Sequence, residues 1–75
     1  MNRNDRKKLE NAIALLNEAQ SIVQSIRDGE QDKFDNLSEG LQQAENGQKF
    51  EENVSALEDA ESHIDDALSS IAEAM

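Results

Sequence analysis

Apolar residues recur at alternating steps of four and three from Phe50 to the end of the chain. This spacing keeps them on one side of a helix and is a heptad pattern that needs partner helices. The pattern predicts one long helix over about 47–74. Three alanines one heptad apart lie beside the stripe, where small side chains let another helix come close. The stripe is Phe50, Val54, Leu57, Ile64, Leu68, Ile71 and Met75, and the alanines are Ala60, Ala67 and Ala74.

A second apolar stripe predicts a first helix over about 4–36, with Asn2 or Asn4 as its N-cap. Leu15 and Ile22 broaden one flank of this stripe beyond what a pair of helices needs, which favours packing against more than one neighbour. Gly29 leaves two alternatives: one helix with a weakened turn, or a break followed by a short helix over 30–36. The stripe is Leu9, Ala12, Ile13, Leu16, Ala19, Val23 and Ile26.

The only concentration of turn-forming residues lies at about 37–46 and includes Ser38 and Gly40. It predicts an ordered turn with one short helical piece, closed by Leu37 and Leu41, with Asn46 or Gly47 leading into the second helix. The sequence therefore predicts an all-α, coiled-coil-like antiparallel two-helix hairpin, forming a single domain over 1–75.

A lone hairpin would leave one flank of both stripes in water, so we expect a homodimer that forms a four-helix bundle. The alternative is a monomeric hairpin that folds on a partner. The predicted dimer seam consists of Leu16, Val23, Ile26, Val54, Leu57, Ile64, Leu68 and Ile71.

Composition narrows the possible functions. The 75 residues include no cysteine, which excludes disulfides and thiolate zinc sites, and a net charge of −10 disfavours direct binding to nucleic acid or anionic membranes. The N-terminus carries basic residues, but no apolar run of signal-peptide or membrane-spanning length follows. We expect a soluble, cytoplasmic protein.

Acidic residues form two columns on the second helix, each with heptad spacing. The columns could imitate the charge of a nucleic-acid duplex and occupy a basic nucleic-acid-binding protein. The simpler interpretation is that a bundle helix needs a solvated outer face. One column is Glu52, Asp59, Asp66 and Glu73, and the other is Glu51, Glu58 and Asp65.

Glu61 interrupts the second stripe. It either pairs with a basic residue such as Lys7 or Arg27 and specifies register, or extends its carboxylate to solvent. The only histidine, His63, is expected on the outer face and lacks the Glu-x-x-His spacing of di-metal bundles. We expect no metal, no cofactor and no catalysis, because no nucleophile with a histidine and an orienting acid is present. The basic residues of the N-terminus are expected to form salt bridges with Asp65, Asp66 and Glu73; they are Arg3, Arg6, Lys7 and Lys8.

The run KFDNLSEGLQ, Lys33 to Gln42, is followed by an acidic, alanine-rich heptad helix. This combination resembles a group of small acidic proteins encoded in phage and prophage genomes, and the likeness spans most of the chain. Those proteins usually carry a proline where this chain has Ser38, and a continuous charged helix where it has Asp28 and Gly29. The resemblance implies a phage setting, and therefore the cytoplasm of a host cell, and supplies no mechanism.

These patterns lead to one functional expectation. We expect a non-enzymatic accessory or inhibitory protein that binds another protein, such as a host defence factor, through its acidic helical surface. The alternative is a structural or scaffold component whose self-assembly is its function.

Overall fold

The computed structural model describes all 75 residues, and it contains only helices. Helix α1 spans Arg3–Asp35, the short helix α2 spans Glu39–Gln42, and α3 spans Glu45–Ala74. The two long helices pack antiparallel and give a rod with extents of 58 × 15 × 12 Å. The all-helical class and the pair of long helices are therefore confirmed. None of the helices combines the length and the apolar character that a bilayer span requires.

Helix α1 is unbroken through Gly29 and is capped at both ends by asparagine. The Asn2 side chain accepts a hydrogen bond of 2.7 Å from the backbone N–H of Asp5, which satisfies one of the free donors of the first turn. At the other end, the Asn36 backbone N–H donates to the Asp32 carbonyl at 3.0 Å. Of the two alternatives at Gly29, the structure has the continuous helix.

The turn contains α2 as its short helical piece. Ser38 caps it by accepting a hydrogen bond of 3.4 Å from the Leu41 N–H, and the Gln42 side chain donates to the Phe34 carbonyl at 3.1 Å. The second bond ties α2 to the end of α1. Leu37 is half-buried, but Leu41 is 55% exposed, so the expected closure of the turn by both leucines is wrong for Leu41.

Helix α3 begins at Glu45, before the expected start at about residue 47, with Ala44 in the N-cap position. Gly47 therefore lies inside the first turn of α3 and is buried. A Cβ atom at position 47 would overlap the carbonyl oxygens of Leu41 and Gln42. The backbone of α2 can rest on α3 only because position 47 has no side chain.

Three hydrogen bonds between side chains link the long helices and fix their register. Gln20 donates to Asp65 at 2.7 Å, Arg27 donates to Glu61 at 2.5 Å, and Asn53 donates to Glu30 at 3.3 Å. As one partner advances along α1, the other moves back along α3, as the antiparallel arrangement requires. Each pair joins positions that lie at about the same level of the rod.

The core is thin. Val54 is the only buried apolar residue, at 7% exposure, and no large side chain is fully buried. The remaining inward residues are half-buried, because two helices enclose a single line of contact. The half-buried apolar residues along this line include Leu9, Ile13, Leu16, Val23, Phe34, Phe50, Leu57, Ile64, Leu68 and Ile71.

Replacement of Gly47 by alanine should lower the free energy of unfolding by about 1–3 kcal/mol, because the new methyl group must displace the α2 carbonyls. Gly29→Ala is the matched control, since nothing lies within 4 Å of its Cβ position. That variant should raise stability by up to about 1 kcal/mol by improving helix propensity. Denaturant unfolding followed by circular dichroism, at equal protein concentration, measures both. Equal stability of the two variants would contradict the close contact at Gly47.

Candidate protein-interaction surfaces

The seven acids of the two predicted columns form one continuous surface on α3, which we call the acidic face. All seven are solvent-exposed. Heptad spacing separates neighbours within a column by about 10 Å along the helix axis. The acidic face consists of Glu51, Glu52, Glu58, Asp59, Asp65, Asp66 and Glu73.

The charge of the acidic face is almost uncompensated within the chain. Only Asp65 has a side-chain partner, the amide of Gln20, and the other six acids make no side-chain hydrogen bond or ion pair. After Lys49 the chain contains no lysine or arginine. Apart from Lys49 in the first turns of α3, a cation that neutralises this face must therefore come from α1, from solvent or from a partner.

The expected salt bridges between the N-terminal basic residues and the acids of α3 are wrong. The ion pairs of the structure involve Arg27 and Lys33 only. Register explains the difference for Asp65 and Asp66, because Asp65 lies level with Gln20. Lys8 is twelve residues further toward the open end, or about 18 Å along the helix. The four basic residues are exposed instead.

Glu61 is buried at 8% exposure and pairs with Arg27, so the structure has the paired alternative and not the solvent-extended one. Arg27 also contacts Asp28 at 3.0 Å. The hydrogen bond that Arg27 donates to Asp28 raises the pKa of Arg27, with a smaller contribution from the charge of Glu61, while desolvation opposes both. The second carboxylate oxygen of Glu61, Oε1, is buried without a hydrogen-bond partner. Lys7, the other candidate partner, makes no ion pair.

The pair of Arg27 and Glu61 lies on the polar flank of the hairpin. A groove of about 330 Å³ on this flank has no hydrophobic lining residue. Two members of the acidic face, Glu58 and Asp65, lie at its edge. The groove is lined by Gln20, Gln24, Arg27, Glu58, Glu61, Ser62 and Asp65.

The opposite flank is apolar and open. Leu15, Ile22 and Ile26 of α1 are 59%, 55% and 53% exposed. Ile26 shares a groove with Ala56 of α3, and Ala60 and Ala67 follow Ala56 at steps of four and seven, which places them on the same side of that helix. We call these six residues the apolar flank. The exposure of Leu15 and Ile22 agrees with the expectation that a single hairpin leaves one flank in water.

A cavity of about 480 Å³ extends this flank toward the turn. It shares Glu30 and Asn53 with the groove at Ile26. The hydrogen bond from Asn53 and the contact with Lys33 lower the pKa of Glu30 below its ordinary value of 4.5. The cavity is lined by Glu30, Leu37, Leu41, Ala44, Asn46, Lys49, Phe50 and Asn53.

The predicted dimer seam divides into two groups in the structure. Ile26 is exposed on the apolar flank, whereas the other seven residues lie on the inward faces of the hairpin. Seven of the predicted seam positions thus contribute to the contact between α1 and α3 of one chain. Those seven are Leu16, Val23, Val54, Leu57, Ile64, Leu68 and Ile71.

His63 is exposed on α3, and no group of three or more histidine, aspartate or glutamate side chains is placed to hold a metal ion. Comparison of the chain with protein-family models, with curated proteins and with solved structures gave no match. The surfaces described above are therefore the basis for a functional proposal.

The contact between Asn53 and Glu30 should make stability depend on pH. Because folding lowers the pKa of Glu30, its contribution is present above the unfolded value of about 4.5 and is lost as pH falls through the lower folded value. Asn53→Ala should therefore unfold at a lower temperature than the wild type at about pH 7, with a smaller difference at about pH 3. Asn46→Ala, in the same cavity without this hydrogen bond, is the control. A difference that is independent of pH would contradict the assignment.

The buried pair should respond differently to the loss of one partner and of both. Arg27→Leu should lower the unfolding temperature, because it leaves the Glu61 carboxylate buried without a cation. The double variant Arg27→Leu/Glu61→Leu should recover or exceed the wild-type value, because apolar side chains then replace the pair. Thermal unfolding by circular dichroism measures this. A double variant less stable than Arg27→Leu would show that the carboxylate stabilises the fold in another way.

Proposed function

We propose that this chain is a non-enzymatic protein-binding module that presents its acidic face to a basic protein surface. The observation that carries this proposal is the absence of compensation: all seven acids are exposed, and six of them have no side-chain partner. Charges that stabilise nothing within the chain are free to attract a cationic partner.

The partner class follows from the shape and charge of this surface. Regularly spaced negative charges on a narrow rod present to a protein the kind of surface that a nucleic-acid backbone presents, so a basic nucleic-acid-binding protein is the proposed target. The resemblance to small phage-encoded acidic proteins supports a role as an accessory or inhibitory protein acting on a host factor. The simpler alternative is that the acidic face only keeps the rod soluble.

We also propose that the chain acts as a homodimeric four-helix bundle. A rod with one buried apolar residue has little core of its own, and the apolar flank offers further burial. If assembly were the whole function, the protein would be a structural or scaffold component, and the apolar flank is the feature that favours this second candidate.

The acidic-face proposal is tested with two variants that remove equal charge. The first replaces Glu52, Asp59, Asp66 and Glu73 with glutamine or asparagine, and the second does the same to four exposed acids outside the face, Glu10, Glu18, Asp32 and Glu39. Tagged proteins are used to capture partners from host lysate, with elution from about 50 to about 500 mM salt. We expect the affinity of the first variant for a nucleic-acid-binding protein to fall by about fourfold or more, because each of the four exposed charge contacts contributes about 0.2–1 kcal/mol.

The second variant distinguishes recognition of the acidic face from an effect of net charge. Retention by the second variant would support recognition by position on α3. Equal loss from both variants would indicate a general charge effect, and full retention by both would contradict a role for the acidic face.

A further inference from the structure

We infer that a second copy of this chain covers the apolar flank, with the two hairpins related by a two-fold axis parallel to the helices. Both turns then lie at the same end of the four-helix bundle. This inference rests on the dimer proposed above and adds the face, the neighbours and the direction of the hairpins.

The first step is the pairing of large with small side chains along the flank. The inter-helix hydrogen bonds set the register, with Gln20 at Asp65 and Arg27 at Glu61. Along this register each large residue of α1 has an alanine of α3 beside it at about the same level. These pairs are Leu15 with Ala67, Ile22 with Ala60, and Ile26 with Ala56. Large side chains therefore line the α1 side of the flank, and alanines line the α3 side.

The second step is symmetry. A homodimer places the same patch of both chains face to face, so the patch must complement itself. A two-fold axis parallel to the helices puts α1 of one copy over α3 of the other without changing the level, so each large side chain lies over an alanine. A two-fold axis across the rod puts α1 over α1 and α3 over α3. Large side chains would then meet large ones, and a gap would remain between the alanines.

The third step is charge. Each chain carries a net charge of −10, so two copies repel each other at most surfaces. The six residues of the apolar flank are uncharged, and the one carboxylate in their groove, Glu30, is already paired with Lys33 and Asn53 of its own chain. On α1, Lys8 precedes Leu15 by one heptad and Lys33 follows Ile26 by one heptad. In the same register Lys8 lies level with Ala74, next to Glu73 of the second copy, whereas Lys33 lies level with Lys49 and pairs with Glu30 of its own chain. The lysine at the open end of the rod therefore favours this neighbour.

A size exchange tests the contact. Ile26→Ala should leave a gap and Ala56→Leu should create a clash, and each should weaken dimerisation by at least about tenfold. The double variant Ile26→Ala/Ala56→Leu should recover much of the loss, because the large and small positions are exchanged. Both residues are exposed within one chain, so the hairpin itself should keep its helical circular dichroism. Ser25→Leu, on the outer face, is the control.

The readout for the exchange is the molecular mass by light scattering across a concentration series, against a chain mass of 8.3 kDa. Ile26→Ala that dimerises like the wild type would overturn the inference, as would single and double variants with additive losses. A wild-type protein that stays at the mass of one chain would overturn both the inference and the proposed dimer. Recognition through the acidic face would still stand or fall on the lysate experiment.

The relative direction of the two hairpins is tested by the distance between labels placed in their turns. The chain has no cysteine, and nothing lies within 4 Å of a Cβ at Gly40 in the turn, so Gly40→Cys can carry a spin label. Turns at the same end predict about 20–30 Å between the two labels, from interaxial distances of 8–10 Å and the reach of the labels. Turns at opposite ends predict a distance close to the 58 Å length of the rod. The long distance would overturn the inference while leaving the dimer intact.

A second labelled position shows whether a long distance at Gly40 reflects the direction of the hairpins. Ser21→Cys, exposed near the middle of α1, should give a short distance in either arrangement. A short distance at Ser21 with a long one at Gly40 contradicts the parallel axis, and short distances at both positions support it.

Discussion

Two antiparallel helices share one line of contact, and the amount of side chain that this line can enclose limits everything else in the chain. In this hairpin a single valine, Val54, is buried among the apolar residues, and the rest of the inward stripe stays half-covered. Each helix has two flanks beside that line, and the two flanks differ in composition. One flank holds the polar groove with Arg27 and Glu61, and the other holds large apolar residues that are more than half exposed within one chain.

The polar links matter because a heptad stripe alone does not define register. Sliding one helix by a heptad would again bring apolar side chains together, whereas Arg27 has only one buried carboxylate to meet, Glu61. Gln20 with Asp65 and Asn53 with Glu30 reinforce the same alignment on either side of that pair. Gly47 completes it at the turn, since the carbonyls of α2 lie where any larger residue would place its Cβ. The level of every surface residue follows from these contacts.

Local periodicity explains why the helices were predictable from the sequence and why some contacts were not. The stripes from Leu9 to Ile26 and from Phe50 to Ile71 indicate helices, because each residue's face depends only on its neighbours along the chain. Register depends on distant residues, so the sequence left Lys7 and Arg27 as equal partners for Glu61 and wrongly paired the basic N-terminus with Asp65. The role of Gly47 depends on the position of α2, which no local pattern indicates. Seam residues such as Leu57 presented a similar difficulty, because one stripe can serve a contact within a chain or between chains.

The division of the surface links the two proposals. A helix in a four-helix bundle needs an inward stripe, an adjacent flank for its second neighbour and an outer side in water. On α3 these correspond to the heptad stripe, the alanines beside it, and the acidic face. If the alanines receive Leu15, Ile22 and Ile26 of a second copy, the acidic faces of both copies stay outside the contact, and the bundle carries twice the acidic surface of one chain. Dimerisation would then supply the core that the single rod lacks and, without any further residue, enlarge the surface proposed to bind a basic partner.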